Sequence, residues 1–160
     1  MIKVAPLSEI PARQVRSPHG KYQLRRQSVS EVLGGIKDTG EWGGGHPFDV
    51  EFFTLPPGAA NFPLHAHAAQ WEMYLIVSGS GEIRGVEGSV PVAAGDHVML
   101  APGEPHQIRN TGEADLTYYV VANQPRADVI TYPDTPGKVG VKPGLGFFTR
   151  NEVDYYEPGD

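Results

Sequence analysis

The chain has 160 residues, of which 39% are hydrophobic and 20% charged, with 20 glycines, 15 prolines and no cysteine. This length predicts one domain with a sizeable core, and the lack of cysteine excludes disulfide frameworks, thiolate metal sites, iron–sulfur clusters and cysteine nucleophiles. Thirteen basic against nineteen acidic residues give a formal charge of −6, which disfavours nucleic acid and anionic membrane surfaces as partners.

The first 48 residues carry few structural signals. Residues 1–11 lack the apolar run of a signal peptide, and no later run approaches the roughly 20 apolar residues of a membrane span. We therefore expect a cytoplasmic protein without a membrane partner. Ser28 and Glu31 match a capping box, which predicts a helix of at most about two turns before Gly34 and Gly35. Residues 1–48 are thus predicted to be an N-terminal extension with a short strand and a helix.

Residues 49–123 show short apolar runs separated by Gly, Pro, Asn and Asp, a pattern typical of strands joined by tight turns. Short strands in this number indicate an all-β sandwich or barrel. The predicted strands are 50–55, 62–67, 72–77, 81–86, 89–92, 97–101, 106–110 and 116–122.

The last segment, residues 124–160, is rich in Pro, Gly and Tyr. Its aromatic side chains make it too apolar for a solvated linker. We expect an extended C-terminal arm that packs on the barrel through Tyr132, Phe147, Phe148, Tyr155 and Tyr156.

Three of the six histidines and one glutamate have the spacing of ligands to one metal ion. Alternate residues of a strand point to the same side, so His65 and His67 share a face. A turn over residues 68–71 is expected to bring Glu72 back on the neighbouring strand, and the bend at residues 102–105 to swing His106 across the first strand. Three nitrogens and one carboxylate oxygen suit one divalent ion per chain. Mn, Fe, Ni, Co and Zn all remain open.

The same residues lie in two stretches that resemble the sequence motifs of the cupin family. A glycine, the His-Ala-His triplet at 65–67, Glu72 and Gly79 are similar to the first motif. Residues 95–110, which run from a Gly-Asp turn through a Pro-Gly bend to a histidine and an asparagine, are similar to the second. Gly58 stands one residue further from the triplet than in the usual pattern, and the first proline of the second motif is displaced by one. Both departures affect the shape of the entry loop.

The resemblance covers about residues 49–122 and implies a double-stranded β-helix, or jelly-roll, barrel with N- and C-terminal extensions. It also implies that the metal ligands are His65, His67, Glu72 and His106. Residues 25–26 and 128–134 are in addition similar to segments of a group of small bacterial cupins, some of which are labelled sugar-phosphate isomerases.

Further residues are candidates for the surroundings of the ion. Tyr74 follows Glu72 by two residues and shares its face, where its phenol can bond a substrate or the ligand carboxylate; the alternative is a plain core aromatic. Ile108 shares the face of His106 and can form an apolar wall beside the metal.

Other histidines and several arginines are less specific. His19 and His46 are predicted to lie in loops, and His97 on a strand outside the site. Arg25, Arg26 and Arg109 can bind an anionic substrate if they reach the mouth of the barrel, whereas such arginines more often form surface ion pairs.

Three hypotheses for function follow. An ion with open positions polarises a carbonyl or binds an enediolate, which favours an isomerase or epimerase of a sugar or sugar phosphate. With Fe(II) the same positions bind O₂, as in a dioxygenase. A non-catalytic module that binds or senses a small molecule is the third, because the fold alone does not decide function. Apolar residues on both faces of residues 118–121 predict a homodimer.

Overall fold

The computed structural model describes residues 1–153, and strands make up most of it. The helices are α1 (Val29–Val32) and two short 3-10 helices, Leu7–Glu9 and Glu41–Gly43. Within residues 1–153, none of the helices has the length and apolar character needed to cross a membrane. The strands are β1 (Ala12–Arg16), β2 (Gln23–Ser28), β3 (Phe48–Leu55), β4 (Ala66–His67), β5 (Glu72–Ser78), β6 (Ser80–Arg84), β7 (Ser89–Ala93), β8 (His97–Leu100), β9 (Gln107–Arg109), β10 (Leu116–Asn123), β11 (Asp128–Thr131), β12 (Lys138–Lys142) and β13 (Gly146–Thr149).

The strands form three antiparallel sheets. The largest has the order β1-β2-β3-β10-β5-β8, the second β13-β12-β11-β4 and the third β7-β6-β9. The inner faces of the first and third sheets enclose one core, to which the six-stranded sheet contributes Phe53, Tyr74 and Tyr118 and the three-stranded sheet Ile83 and Val92. The predicted all-β class and double-stranded β-helix are confirmed.

Seven of the eight predicted strands lie within two residues of their predicted bounds. The prediction for residues 62–67 is wrong over its first part, because the strand there is only β4, Ala66–His67. Pro63 has no N–H to donate to a ladder, and the backbone N–H of Phe62 donates to the side chain of Asn61 at 2.6 Å. His65 keeps one isolated bridge, to His106.

The N-terminal extension contains two strands, one more than expected, and they widen the large sheet. β1 pairs with β2, and β2 pairs with β3 through Arg26 and Phe53 among other residues. The predicted helix is present as the single turn α1, but its capping box does not form. The hydroxyl of Ser28 instead donates to the carboxylate of Glu51 at 3.1 Å, a charge-assisted bond stronger than one to a neutral partner.

Residues 124–153 form strands instead of the expected extended arm. β11 pairs with β4, where Ile130 lies opposite His67, and β12 and β13 continue the sheet outward. The rings of Tyr132 and Phe147 lie 6.2 Å apart, whereas Phe148 is 59% exposed. Tyr155 and Tyr156 lie outside the described residues. This sheet brings the C-terminal segment to the metal-ligand candidates.

Candidate metal centre

The four ligand candidates lie close together but come from different parts of the fold. His67 lies in β4, Glu72 begins β5, and His65 and His106 precede β4 and β9. The bend before His106 brings its backbone against that of His65, with N to O distances of 3.2 and 2.8 Å in the two directions, as expected. Glu72 does not arrive on a strand that neighbours β4, because β5 pairs with β8 and β10 in the large sheet. It faces the histidines across the barrel.

The side chains converge closely enough for one ion. The ring centres of His65 and His67 are 5.1 Å apart, and those of His65 and His106 are 4.6 Å apart. Ligand atoms of His65, Glu72 and His106 all lie within 4.8 Å of one another. His67 lies outside this cluster, although its Nε2 is 3.7 Å from Oε1 of Glu72. Two atoms bound to one ion at about 2.1 Å each are at most about 4.2 Å apart, so a small contraction suffices and the donor set fits a first-row divalent ion.

Backbone carbonyl groups orient two of the imidazole rings. Nδ1 of His65 donates to the carbonyl of Pro63 at 2.9 Å, and Nδ1 of His106 donates to the carbonyl of Glu104 at 2.9 Å. With Nδ1 protonated, a neutral imidazole presents the lone pair of Nε2 as its only ligand atom. The loops that carry Pro63 and Glu104 therefore select the tautomer that a metal requires.

A carboxylate orients the third ring. Nδ1 of His67 donates to Asp128 at 2.5 Å, and the backbone N–H of Ala69 donates to the other carboxylate oxygen of Asp128 at 2.8 Å. Burial would raise the pKa of Asp128, but these two bonds hold it below its usual value, so the group is a carboxylate. This role of Asp128 was not predicted from the sequence. Its one signal was that residues 128–134 resemble a segment of other small cupins.

The protonation states of the ligand candidates follow from their burial and from their contacts with one another. Burial, followed by the charges of neighbouring histidines, lowers the pKa of His65 to about 4. Burial opposes the charge on Glu72, but the bond and charge of His106 and the other two imidazoles lower its pKa to about 2. Burial likewise opposes the charge on His106, but its bond to Glu72, 3.2 Å long, raises its pKa. Glu72 is thus ionised, and a cation that binds Nε2 of His106 must displace the proton that His106 carries below its raised pKa.

Tyr74 lies beside the ligands, as its spacing predicts. Its hydroxyl donates to Oε2 of Glu72 at 2.9 Å, and burial together with the charge of Glu72 raises its pKa well above the ordinary value. The phenol therefore stays protonated and holds the ligand carboxylate. Ile108 is fully buried in the hydrophobic core, and apolar side chains of Phe62, Val120 and Ile130 line the cavity.

A cavity of about 350 Å³ opens in front of the site. Its lining includes three of the ligand candidates, His65, His67 and Glu72, together with residues of the N-terminal extension and of β12 and the following loop. A volume of this size holds a small organic molecule.

The remaining histidines lie where the sequence places them. His19 is in an exposed turn, His46 in a loop before β3, and His97 is an exposed residue at the start of β8. None of the three belongs to the ligand cluster found among residues 1–153.

The three arginines differ in position. Arg25 lies 3.9 Å from Asp115 and Arg109 lies 3.1 Å from Glu82, both as surface pairs. Arg26 reaches the cavity, but Nε donates to Glu51 at 2.7 Å and a second nitrogen of its guanidinium also bonds that carboxylate. Each of the three arginines therefore pairs with a carboxylate of this chain.

Comparison with known proteins decides the family. The sequence profile of the cupin domain matches residues 51–122, the stretch that holds His65, His67, Glu72 and His106. Residues 51–122 are a cupin domain. Asp128 lies beyond the matched residues. The residues of the N-terminal extension and of β12 that line the cavity also lie outside the match.

Individual cupins resemble the chain over different lengths. An oxalate-binding protein of Thermotoga maritima is 40% identical over 67 residues, which are 42% of this chain, and the chain spans 54% of that relative's length. The structure of a sugar phosphate isomerase from a cupin superfamily, from Silicibacter pomeroyi, matches with a TM-score of 0.76 at 21% identity and covers 92% of this chain and 93% of that one. The structure of a predicted oxalate decarboxylase of Thermotoga maritima matches with a TM-score of 0.62 at 27% identity. The match covers 77% of this chain and 100% of that one.

Proposed function

We propose that His65, His67, Glu72 and His106 hold one divalent metal ion and that this cupin is a metal-dependent isomerase or epimerase of a small oxygenated substrate, such as a sugar or sugar phosphate. The observation that supports the proposal is the cluster of His65, Glu72 and His106, whose ligand atoms lie within 4.8 Å of one another beside a cavity that His65, His67 and Glu72 line. When bound, such an ion polarises a carbonyl or stabilises an enediolate.

Asp49 supplies the proton transfer that this class of reaction needs. In the large sheet Asp49 lies opposite Ala122, and Ala122 lies opposite Glu72, so the backbones of the two acids are separated by two strand spacings, about 10 Å. Both acids line the cavity, and the small side chain of Ala122 leaves the space between them open. A substrate that contacts the metal centre can therefore present a carbon to Asp49.

The environment of Asp49 suits a group that both takes and returns a proton. Burial, followed by the charge of Glu51, raises the pKa of Asp49 to about 6, close to the value at which general acid–base catalysis is most effective near neutral pH. Within residues 1–153, no cation lies within ion-pair distance of Asp49. An isomerisation balances without any oxidant when the proton next to the carbonyl moves to the carbonyl carbon and the proton of the neighbouring hydroxyl moves to the former carbonyl oxygen.

The proposal is tested first by metal content. Protein purified without a chelator or a metal-affinity tag should contain close to one divalent ion per chain, and His106→Ala should lose it while the matched control His97→Ala keeps it. Failure of Mn, Fe, Co, Ni and Zn to bind in titrations would overturn the site. The loaded enzyme should then exchange substrate hydrogen with ²H₂O across a panel of aldoses, ketoses and their phosphates. Oxygen consumption by the Fe(II) form would instead indicate the dioxygenase hypothesis.

A second candidate, a protein that binds a small molecule without turnover, is favoured by the 40% identity to an oxalate-binding protein. Under this alternative the ion orients a bound dicarboxylate. The metal-loaded protein would then bind oxalate in calorimetry, and oxalate would be recovered unchanged after prolonged incubation.

We also propose that this cupin is a cytoplasmic homodimer. The outer face of the large sheet carries a row of apolar side chains from neighbouring strands, with Met73 opposite both Val121 and Met99. Met99 is 58% exposed. An apolar sheet face that meets water is commonly covered by a second subunit.

A further inference from the structure

We propose that Lys138, held over the rings of Tyr132 and Phe147, forms a subsite in the wall of the cavity that binds the anionic end of the substrate, a phosphate or carboxylate group. The inference rests on the proposed function, since it describes a substrate whose other end lies at the metal centre. The group that binds the negative charge of the substrate then lies in the C-terminal sheet, and not among the arginines that the sequence suggests.

Aromatic contacts connect Lys138 to the metal centre. Nζ of Lys138 lies 4.4 Å from the centre of the Tyr132 ring and 5.2 Å from that of Phe147. The Tyr132 ring in turn stacks on His65, with ring centres 6.3 Å apart and an angle of 28° between the planes. All four side chains line the cavity. The ammonium group is therefore one aromatic ring away from a ligand candidate, a separation that a substrate of a few carbon atoms can span.

Two cations of the N-terminal extension that line the cavity already have an anionic partner. Arg26 donates two hydrogen bonds to Glu51, and Lys37 lies 3.8 Å from the same carboxylate. The Glu51 side chain is only 6% exposed, so this pairing is sheltered from water. An incoming anion would have to compete with Glu51 for either group.

Lys138 differs from the neighbouring lysine on its own strand. Lys142 lies 3.6 Å from Asp38 and 3.4 Å from the side-chain oxygen of Gln70. Within the described part of the chain, Lys138 has no carboxylate within 4.0 Å. Its charge thus remains available to a ligand, although Lys138 and Lys142 both face the same cavity.

The chemistry of this arrangement suits a small anion. An ammonium group over ring faces is attracted by their quadrupoles, which fixes its position, while its three N–H donors stay free to bond oxygen atoms. The rings also keep water from part of its surroundings, which strengthens its attraction to an opposite charge. Phosphate and carboxylate share this recognition, and the two are separated by the experiment.

The test uses chelator-stripped protein, so that an anion has no metal ion to bind. Inorganic phosphate and acetate are titrated separately into the wild type, Lys138→Gln and the matched control Lys142→Gln, and binding is followed by calorimetry and by amide shifts in NMR spectra. We expect saturable binding of at least one anion, a loss of about tenfold or more in Lys138→Gln, and a change of less than about twofold in Lys142→Gln.

The outcomes separate the subsite from the proposed function. Tighter binding of phosphate assigns a phosphorylated substrate, and tighter binding of acetate a carboxylate one. Equal affinity of the wild type and Lys138→Gln, or binding of neither anion by the wild type, overturns the subsite. Metal titration of the same proteins is the second readout, because Lys138→Gln should bind Mn(II) as the wild type does. A chain that binds phosphate through Lys138 but takes up no metal ion refutes the proposed function alone.

Discussion

Nδ1 of His67 lies 2.5 Å from Oδ2 of Asp128, and both side chains are buried. The two residues are 61 positions apart and meet because β11 pairs with β4. Since the matched cupin domain ends at residue 122, a segment outside that domain orients one of its ligand candidates. The C-terminal sheet thus belongs to the construction of the metal centre.

Replacement of Asp128 by Asn should weaken metal binding without unfolding the barrel. The amide oxygen can still accept the bond from His67, but the negative charge that makes the imidazole a better donor to a metal is lost. Loss of such a partner typically costs about 10- to 100-fold in metal affinity. Calorimetric titration of chelator-stripped protein measures the change. Asp134→Asn is the control, because Asp134 lies in the same segment and pairs with Arg84 at the surface; equal metal affinities of the two variants would contradict the role of Asp128.

Metal affinity should rise with pH up to the raised pKa of His106. Below that pKa His106 carries a proton that bonds Glu72, and an ion must displace it. Loss of one proton predicts about a tenfold gain in affinity per pH unit in this range and no gain above it. Titrations in two buffers of different ionisation enthalpy count the released proton. An affinity that does not change with pH below about pH 6.5, the ordinary pKa of histidine, would show that no proton is displaced from His106.

The ligand candidates could be predicted from the sequence because their signals are local. The alternation at 65 and 67, and the turn glycines and prolines around 72 and 106, each act within a few residues. The contact of His67 with Asp128 could not be predicted from the sequence, because it depends on which strand pairs with β4. That pairing is determined by the whole fold. Competition for a hydrogen-bond partner explains why the predicted capping box does not form. Ser28 bonds Glu51 instead of capping α1, and Glu51 is distant in sequence.

The Arg26–Glu51 pair should matter more to stability than an exposed pair. Glu51→Gln leaves the guanidinium of Arg26, whose side chain is 20% exposed, without its charged partner, and loss of one member of a sheltered pair costs about 3 kcal/mol of unfolding free energy. Glu82→Gln removes the surface partner of Arg109 and should cost less than about 1 kcal/mol. Urea denaturation at neutral pH compares the two, and similar losses would contradict the difference in environment.

Asp49 should destabilise the fold once it is ionised. Its pKa is raised from 3.8 to about 6, so the folded state binds this proton more tightly than the unfolded state does. The penalty is absent below about pH 4, grows between about pH 4 and 6, and is complete above about pH 6. Asp49→Asn removes it and should raise the unfolding free energy at about pH 7.5 by about 1 to 2 kcal/mol, after allowance for partial exposure. Chemical denaturation at about pH 4 and 7.5 checks this, with exposed Glu87→Gln as the control; a variant less stable than wild type at the higher pH would refute the prediction.

An acidic residue on the outer face of the large sheet should separate the proposed homodimer. Met99 is 58% exposed and lies on β8 opposite Met73, so Met99→Glu adds charge to the apolar face and leaves the core intact. Light scattering should show twice the monomer mass of 17.3 kDa for the wild type at micromolar concentration and the monomer mass for the variant. Val90→Glu is the matched control, because Val90 is 65% exposed on β7 in the three-stranded sheet and should leave a dimer unchanged. Dissociation by Val90→Glu and not by Met99→Glu would move the interface to the opposite sheet, and a monomeric wild type would refute the dimer itself.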